Sequence, residues 1–265
     1  MDSSYQASPD VHVLPSHLTI PGVGTLVVNS FVLLAQEPVL VDAGIVMDRD
    51  AFMESLRAIV DPAEIRWVWI THDDADHTGS LEAVMAAAPN ATLATHALGA
   101  LRISTWWPQA LERVRAIVPG EAFDVGDRKL NTYRPPTFDN PTSIGFHDSK
   151  TGAYFAVDTF GAILPDAVQD LGDLPEEAVV GGMCAWVSFD SPWTGWVDRG
   201  RFDPLLDEVR SLAPSQILSA HLPAKGATPD QLLDVLGMSP DLDPFEPPNA
   251  EAFAQIVAAL APPGG

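Results

Sequence analysis

The sequence lacks most of what would tie a chain to a membrane, to nucleic acid or to an oxidising compartment. Its single cysteine, Cys184, cannot form an internal disulfide and belongs to no ligand-spaced cysteine group. No histidine lies near it in sequence to act as an activating base, so it reads as a buried core thiol and not as a nucleophile. Basic residues are scarce: 14 Lys and Arg stand against 36 Asp and Glu, a formal charge of −22 with no Lys/Arg cluster to offset it locally. That charge repels polyanions and disfavours DNA and RNA as substrates. The bland explanation, a soluble or salt-adapted surface, fits it better than a cationic partner. Long apolar runs are missing as well. The most apolar stretch, Thr25 to Ala35, has the length of a strand, short of the roughly 20 residues that cross a bilayer. The opening MDSSYQASPDV has neither a basic n-region nor an apolar h-region, so the expected location is the cytoplasm.

What is present suffices for a sizeable core: 46% of the 265 residues are hydrophobic. Strand patterns cover Val11 to Leu14, Leu18 to Pro21, Thr25 to Ala35 and Val39 to Asp42, with a hairpin turn at Gln36 to Pro38. A helix over Asp48 to Val60 follows, then a buried strand Trp67 to Thr71, a helix Gly79 to Ala87 and a short strand Thr92 to Thr95. The alternation continues less clearly to Val118. A second strand-rich block comprises Ala122 to Val125, Asn131 to Arg134, Thr142 to His147 and Ala153 to Asp158. Helices over Leu174 to Trp186 and Phe202 to Leu212 precede the strand Gln216 to Ser219. From Pro223 the chain is rich in Pro and Asp, with helices over Asp230 to Leu236 and Ala250 to Leu260. No linker or repeat divides it, so a single α/β domain over 1–265 is expected, with 223–265 wrapping it.

The segment ITHDDADHTGS places His72, Asp74, Asp76 and His77 together, directly after an apolar strand and before a helix. In an extended segment, side-chain alternation sends 72, 74 and 76 to one side, and the turn into the helix returns 77, so two neighbouring metal ions can be served. Imidazole with carboxylate suits Zn, Fe or Mn, and the lack of thiolate argues against a structural zinc knot. Alone, the segment also allows a polar loop with Asp76 or Thr78 capping the next helix, the lesser of the two readings. Two further ligand types end later strands, Asp158 after AYFAV and His221 after QILSA, as in a site built on strand-terminal loops.

These residues resemble the metallo-β-lactamase superfamily, whose motif is HxHxDH followed by a later His, an Asp and a final His. Asp74 replaces the usual second histidine, which is similar to the HxExDH of the flavodiiron and oxygen-binding diiron branch. VNSFVLL, AVDTFGA and SAHLPAKG resemble that branch's NSYLI strand, NDxFG strand end and terminal SHGP loop. The resemblance implies a four-layer αββα sandwich. It implies that His72 and Asp74 bind metal 1, that Asp76 and His77 bind metal 2 with His221, and that Asp158 bridges both. The family's middle histidine lies in an HWPxSM-like segment; here DNPTSI puts Asp139 at that position. With Asp139 as ligand, metal 1 has one His and three carboxylates, a hard site favouring iron or manganese over zinc. Without it, metal 1 is weak and a mononuclear site remains.

Asp42, in VDAG, matches a position whose carboxylate orients a metal-binding histidine. His96 either faces the cleft in support of the ligands or is a plain strand-end histidine. Trp106, Trp107, Trp186, Trp193 and Trp196 are expected around the pocket mouth, with WVSFDSPWTGW roofing an apolar pocket for O2 or a hydrophobic substrate.

Three functions follow. The first is a diiron protein binding or reducing O2 or NO. Flavodiiron proteins carry a flavodoxin domain, and the chain ends before one could fit. No flavin is therefore expected within it, and a separate redox partner would supply electrons, with a homodimer as the other protein contact to expect. The second is hydrolysis of an ester, thioester or lactone by a metal-activated water that Asp76 orients. The third is a non-catalytic metal scaffold, which the retained ligand core makes the weakest.

Overall fold

The computed structural model describes residues 1–20 and 22–260. Two ten-residue strands, β2 (Val11–Ile20) and β3 (Gly24–Leu33), pair antiparallel along their whole length, from Val11 opposite Leu33 to Ile20 opposite Gly24. The sequence pattern breaks β2 at Pro15, yet the strand runs through it. The Pro15 carbonyl accepts from Asp2 N on the side away from β3. A strand residue's N–H points the same way as its C=O, so the missing donor costs no bond to β3. Pro21, where one expected strand ended, lies outside the described residues.

Around this hairpin an eight-stranded sheet forms in the order β1 (Tyr5–Ser8), β2, β3, β4 (Val39–Val41), β5 (Trp67–Trp69), β6 (Thr92–His96) and β7 (Val114–Ile117). The strands from β4 to β7 are parallel. Helices α1 (Arg49–Ile59), α2 (Ala75–Thr78), α3 (Leu81–Ala87) and α4 (Ala97–Ile103) lie between them in sequence. A second, five-stranded sheet contains β8 (Ala122–Asp124), β9 (Lys129–Tyr133), β10 (Gly145–Asp148), β11 (Ala153–Phe155) and β13 (Gln216–Leu218), in the order β13-β11-β10-β9-β8. The short β12 (Ile163–Leu164) returns to the first sheet beside β3. Helices α5 (Glu176–Asp190), α6 (Arg199–Ser211), α7 (Pro229–Leu236) and α8 (Ala250–Leu260) complete the chain.

The order of the layers follows from which faces are apolar. Phe31, Trp69, Phe123, Phe146 and Phe155 are buried between the two sheets, with the Phe146 and Phe155 rings stacked at 4.3 Å. The outer face of the first sheet packs Val32, Leu40 and Val68 against Phe52 and Leu56 of α1 and Leu81 and Val84 of α3. Tyr154 and Ile217 of the second sheet meet Met183 and Val187 of α5, Phe202 and Leu206 of α6, and Leu232 and Leu236 of α7. The fold is a four-layer αββα sandwich. Among the described residues no helix is long and apolar enough to cross a membrane.

Differences from the sequence pattern matter at three places. The expected strand Thr142 to His147 begins only at Gly145, because Thr142 is held in a side-chain network described below. The helix expected over Leu174 to Trp186 runs on to Asp190. Helix α4 and strands β1 and β12 carry no clear sequence pattern. The last residues of the expected wrapping segment, 261–265, lie outside the described residues.

Candidate metal centre

The loop after β5 and the short helix α2 supply the first group of ligand-type side chains. Asp74 is the N-cap residue of α2, and His77, fully buried, lies in that helix. The helix is clamped against the loop after β4: Gly79 N donates to Gly44 O at 2.8 Å, and Ala43 N donates to His77 O at 2.7 Å. Only glycine fits at position 79, since a Cβ there would stand 2.2 Å from the Val46 backbone nitrogen. The clamp carries Asp42, in the left-handed region at φ 59°, beneath His77. Aspartate tolerates that conformation better than most residues.

The second group comes from the ends of β11 and β13. Val157, just before Asp158, has φ 58°, a strained value for a β-branched residue, and it turns the buried Asp158 toward the first group. Ala220 N donates to Val157 O, joining the two loops at 2.8 Å. Asn29 of β3 fixes the His221 loop. Its side-chain amide donates to Ser219 O at 3.0 Å and to Leu222 O at 2.8 Å, and its backbone N donates to Ala220 O at 2.7 Å.

All of these groups meet. Asp158 Oδ2 lies 3.3 Å from His72 Nε2, while Oδ1 lies 3.1 Å from His77 Nε2 and 3.3 Å from His221 Nε2. Asp74 Oδ2 is 3.6 Å from His72 Nε2. Asp76 Oδ2 is 3.7 Å from His77 Nε2 and 3.5 Å from His221 Nε2. Asp139 joins the His72 and Asp74 side with a ligand atom within 4.8 Å of theirs. The two Asp158 oxygens thus divide the cluster into one half around His72 and another around His77 and His221.

Each histidine offers Nε2 inward because Nδ1 is engaged behind it. His77 Nδ1 donates to Asp42 Oδ2 at 2.9 Å, and His221 Nδ1 donates to Val27 O at 2.8 Å. His72 Nδ1 stands 3.3 Å from Thr71 Oγ, whose own hydroxyl donates to Asp42. Facing one another across the cluster, His72 Nε2, His77 Nε2 and Asp158 Oδ1 are fully buried, and none of them makes a hydrogen bond of good geometry. Buried polar atoms are seldom left unsatisfied, and three ligand-type atoms left so in one cluster fit bound cations.

The metallo-beta-lactamase superfamily model matches residues 23–183, well over half of the chain. The chain belongs to the metallo-beta-lactamase superfamily. Over 145 residues it is 25% identical to diflavin flavoprotein A 1 of Synechocystis, covering 54% of this chain and 25% of that protein. The anaerobic nitric oxide reductase flavorubredoxin of Salmonella typhi is 26% identical over 134 residues, 50% of this chain and 28% of the relative. The flavodiiron protein from Giardia intestinalis superposes with a TM-score of 0.78 at 15% identity, over 91% of this chain and 60% of that one. The matched region therefore spans only about a quarter of these two curated relatives.

In this superfamily member the electrostatics follow from burial opposed by pairing. Burial and the neighbouring His77 both push the His72 pKa down, but Asp158 and Asp74 outweigh them and raise it to about 10. His77 and His221 are likewise raised, burial being overcome by Asp42 and Asp158 for the first and by Asp158 for the second. Asp158 stays far below the usual carboxylate range despite its burial, held by the three histidines. Asp139, an exposed residue at the edge of the cluster, is pushed up to about 6 by desolvation and by Asp158. A cation arriving here replaces protons.

One of the two readings of His96 fails, as do the expectations for Trp107, Trp196 and Cys184. His96 does not serve the ligands: its Nδ1 accepts from Leu98 N at 3.1 Å, capping α4. Trp107 packs with the outer helices against the far face of the first sheet. Trp196 is 78% exposed and roofs nothing. Trp193 sits closer to the centre, its indole donating to Phe138 O at 2.8 Å next to Asp139. Cys184 is half-buried, short of the core position expected, and its thiol is raised by desolvation.

Trp186, expected near the pocket mouth, and several residues that sequence reasoning left aside also reach the centre. Trp186 donates to Asp158 O at 3.0 Å, and its ring lies 4.7 Å from that of His221. A Cβ on Gly161 would touch this indole at 2.4 Å. Asn140 donates to Asp74 Oδ1 at 2.8 Å, and Thr142 donates to Asp73 Oδ1 at 2.9 Å. Asp190 brings a carboxylate within 4.8 Å of Asp139 and Asp158, its pKa raised to about 7 by burial and by those two carboxylates.

Proposed function

We propose that the chain holds two metal ions, both iron, bridged by Asp158, and that it binds or reduces O2 or NO with electrons from a separate donor. The observation that carries this reading is the division of the Asp158 carboxylate, with Oδ2 toward His72 and Oδ1 toward His77 and His221. Metal 1 would be held by His72, Asp74, Asp139 and Asp158, and metal 2 by Asp76, His77, His221 and Asp158. The carboxylate-rich donor set suits iron or manganese better than zinc. The names of the relatives support the redox reading, among them a nitric oxide reductase.

Bound iron supplies one-electron chemistry and open positions for a diatomic ligand. The chain's own part is to turn Nε2 of His77 and His221 toward the metals, through the acceptors that engage Nδ1 behind them, and to keep His72 and Asp158 buried. Asp76, with 27% of its side chain exposed, is the ligand of metal 2 that meets solvent. The protein is proposed to be cytoplasmic and to work as a homodimer.

The test is anaerobic loading with Fe2+, metal analysis, and absorption spectra before and after O2 and NO. Near-stoichiometric iron with a gas-dependent spectral change supports the proposal. Ester or lactone turnover by the zinc- or manganese-loaded protein, with iron inert to both gases, replaces it with hydrolysis. A His77→Ala variant that keeps its metal and its activity contradicts both.

A further inference from the structure

We infer that Asp190 is an additional ligand of metal 1, which makes that site a one-imidazole, four-carboxylate site selective for a hard divalent cation. This rests on the dinuclear reading above and extends it to a residue outside the expected ligand set.

Asp190 closes α5, one helical turn after Trp186. Residues four apart share a helix face, and Trp186 already touches both Asp158 and His221. The face of α5 that carries Trp186 and Asp190 is therefore turned to the centre. There Asp190 forms a cluster with Asp139 and Asp158, each offering an oxygen within 4.8 Å of the others.

Everything around this carboxylate disfavours a negative charge in the absence of a cation. It stands at the C-terminal end of a 15-residue helix, where the macrodipole is already negative. Two further carboxylates adjoin it. Its one hydrogen bond among the described residues is from the Ser191 hydroxyl, at 2.9 Å. No lysine or arginine pairs with it among the described residues: Arg102 is bound to Asp73 and Asn140, and Arg134 lies over the Phe138 ring and donates to Pro141 O. A shared cation removes the conflict. Independent of the acidic residues, the fully buried His72 Nε2 lacks a hydrogen-bond partner, and Asp139 belongs both to its group and to that of Asp190.

The donor sets then differ in kind. Metal 1 sees four carboxylates and one imidazole, the hard arrangement that suits Mn2+ or Fe2+. Metal 2 sees two imidazoles with Asp76 and Asp158, and it accepts Zn2+ as readily. Presented with Mn2+ and Zn2+ together, the protein sorts them, with manganese at metal 1 and zinc at metal 2.

The experiment compares the wild type with Asp190→Asn, an isosteric change that keeps the Ser191 contact, and with Asp190→Ala. Metal-free protein is titrated with Mn2+ alone and with Mn2+ and Zn2+ together. Bound metal is counted by elemental analysis, and the Mn2+ environment is read by electron paramagnetic resonance. Both variants are expected to keep one ion while losing affinity for the second by at least about tenfold, with an altered Mn2+ spectrum. Metal-free Asp190→Asn is expected to melt above the metal-free wild type, since it removes a desolvated charge. Two ions bound with unchanged affinity and spectrum in Asp190→Asn overturn the inference and leave the dinuclear reading standing. A wild type that binds no second ion overturns the dinuclear reading itself.

Discussion

Asp42 Oδ2 accepts a hydrogen bond from His77 Nδ1 at 2.9 Å, and the same carboxylate accepts from the backbone and hydroxyl of Thr71 at 2.8 to 3.0 Å. One side chain thus sets the tautomer of His77 and anchors the loop that carries His72. Asp42→Asn preserves the left-handed backbone, which asparagine tolerates, but replaces one acceptor oxygen with a donor. We expect metal affinity to fall about 10- to 100-fold, measured by competition with a chelator, and the fold to survive. Unchanged affinity would show that His77 is held elsewhere.

Gly79→Ala tests the clamp between α2 and the loop after β4. The added methyl would meet backbone atoms of Ile45, Val46 and Gly44 at 2.2 to 2.5 Å, and backbone cannot step aside as a flexible side chain can. A loss of about 3 kcal/mol or more in denaturant unfolding is expected, with metal binding impaired because Asp42 and His77 part. A neutral Gly79→Ala would mean that the approach is looser than described.

His96→Ala should separate capping from metal support. Its ring accepts from Leu98 N at the start of α4 and has no bond to any ligand. About 1 kcal/mol of stability is the expected loss, with both metals retained in elemental analysis. Loss of metal would restore the histidine to the centre.

These tests bear on how much could be read in advance. Periodicity located both sheets because strands such as β3 and β5 are buried over most of their length and read as apolar runs. The HxDxDH segment stood out because four ligand types crowd behind one of those strands. Asp158 and His221 were legible for the same reason, each following an apolar strand. Asp190 was not, since it ends a helix with residues of mixed character on several faces, and only the packing of α5 turns it inward. Asn29 and Asn140 act through loops distant in sequence, at separations of 190 and 66 residues. Trp107 and Trp196 misled because an aromatic in a broken segment says nothing about which layer it joins.

Acidity should compete with metal. The metal-free His72 pKa, raised from 6.5 to about 10, keeps the ring protonated at neutral pH. A raised histidine stabilises the fold fully below 6.5 and loses that contribution as pH climbs through about 10. Metal-free protein should therefore become less stable between pH 7 and 10, while metal affinity rises over the same interval. Calorimetric titration at pH 7 in buffers of different ionisation heat should register proton release on metal binding. No release, with affinity flat in pH, would contradict the protonation described.

The bridging role of Asp158 is the claim on which the functional account stands. Its most direct test is Mössbauer and magnetic-resonance spectroscopy of the anaerobically iron-loaded, then oxidised protein, with Asp158→Asn as comparison. The account predicts two irons per chain forming a magnetically coupled pair in the wild type, and loss of that coupling in Asp158→Asn. One isolated iron in the wild type, or two that behave independently, would contradict it.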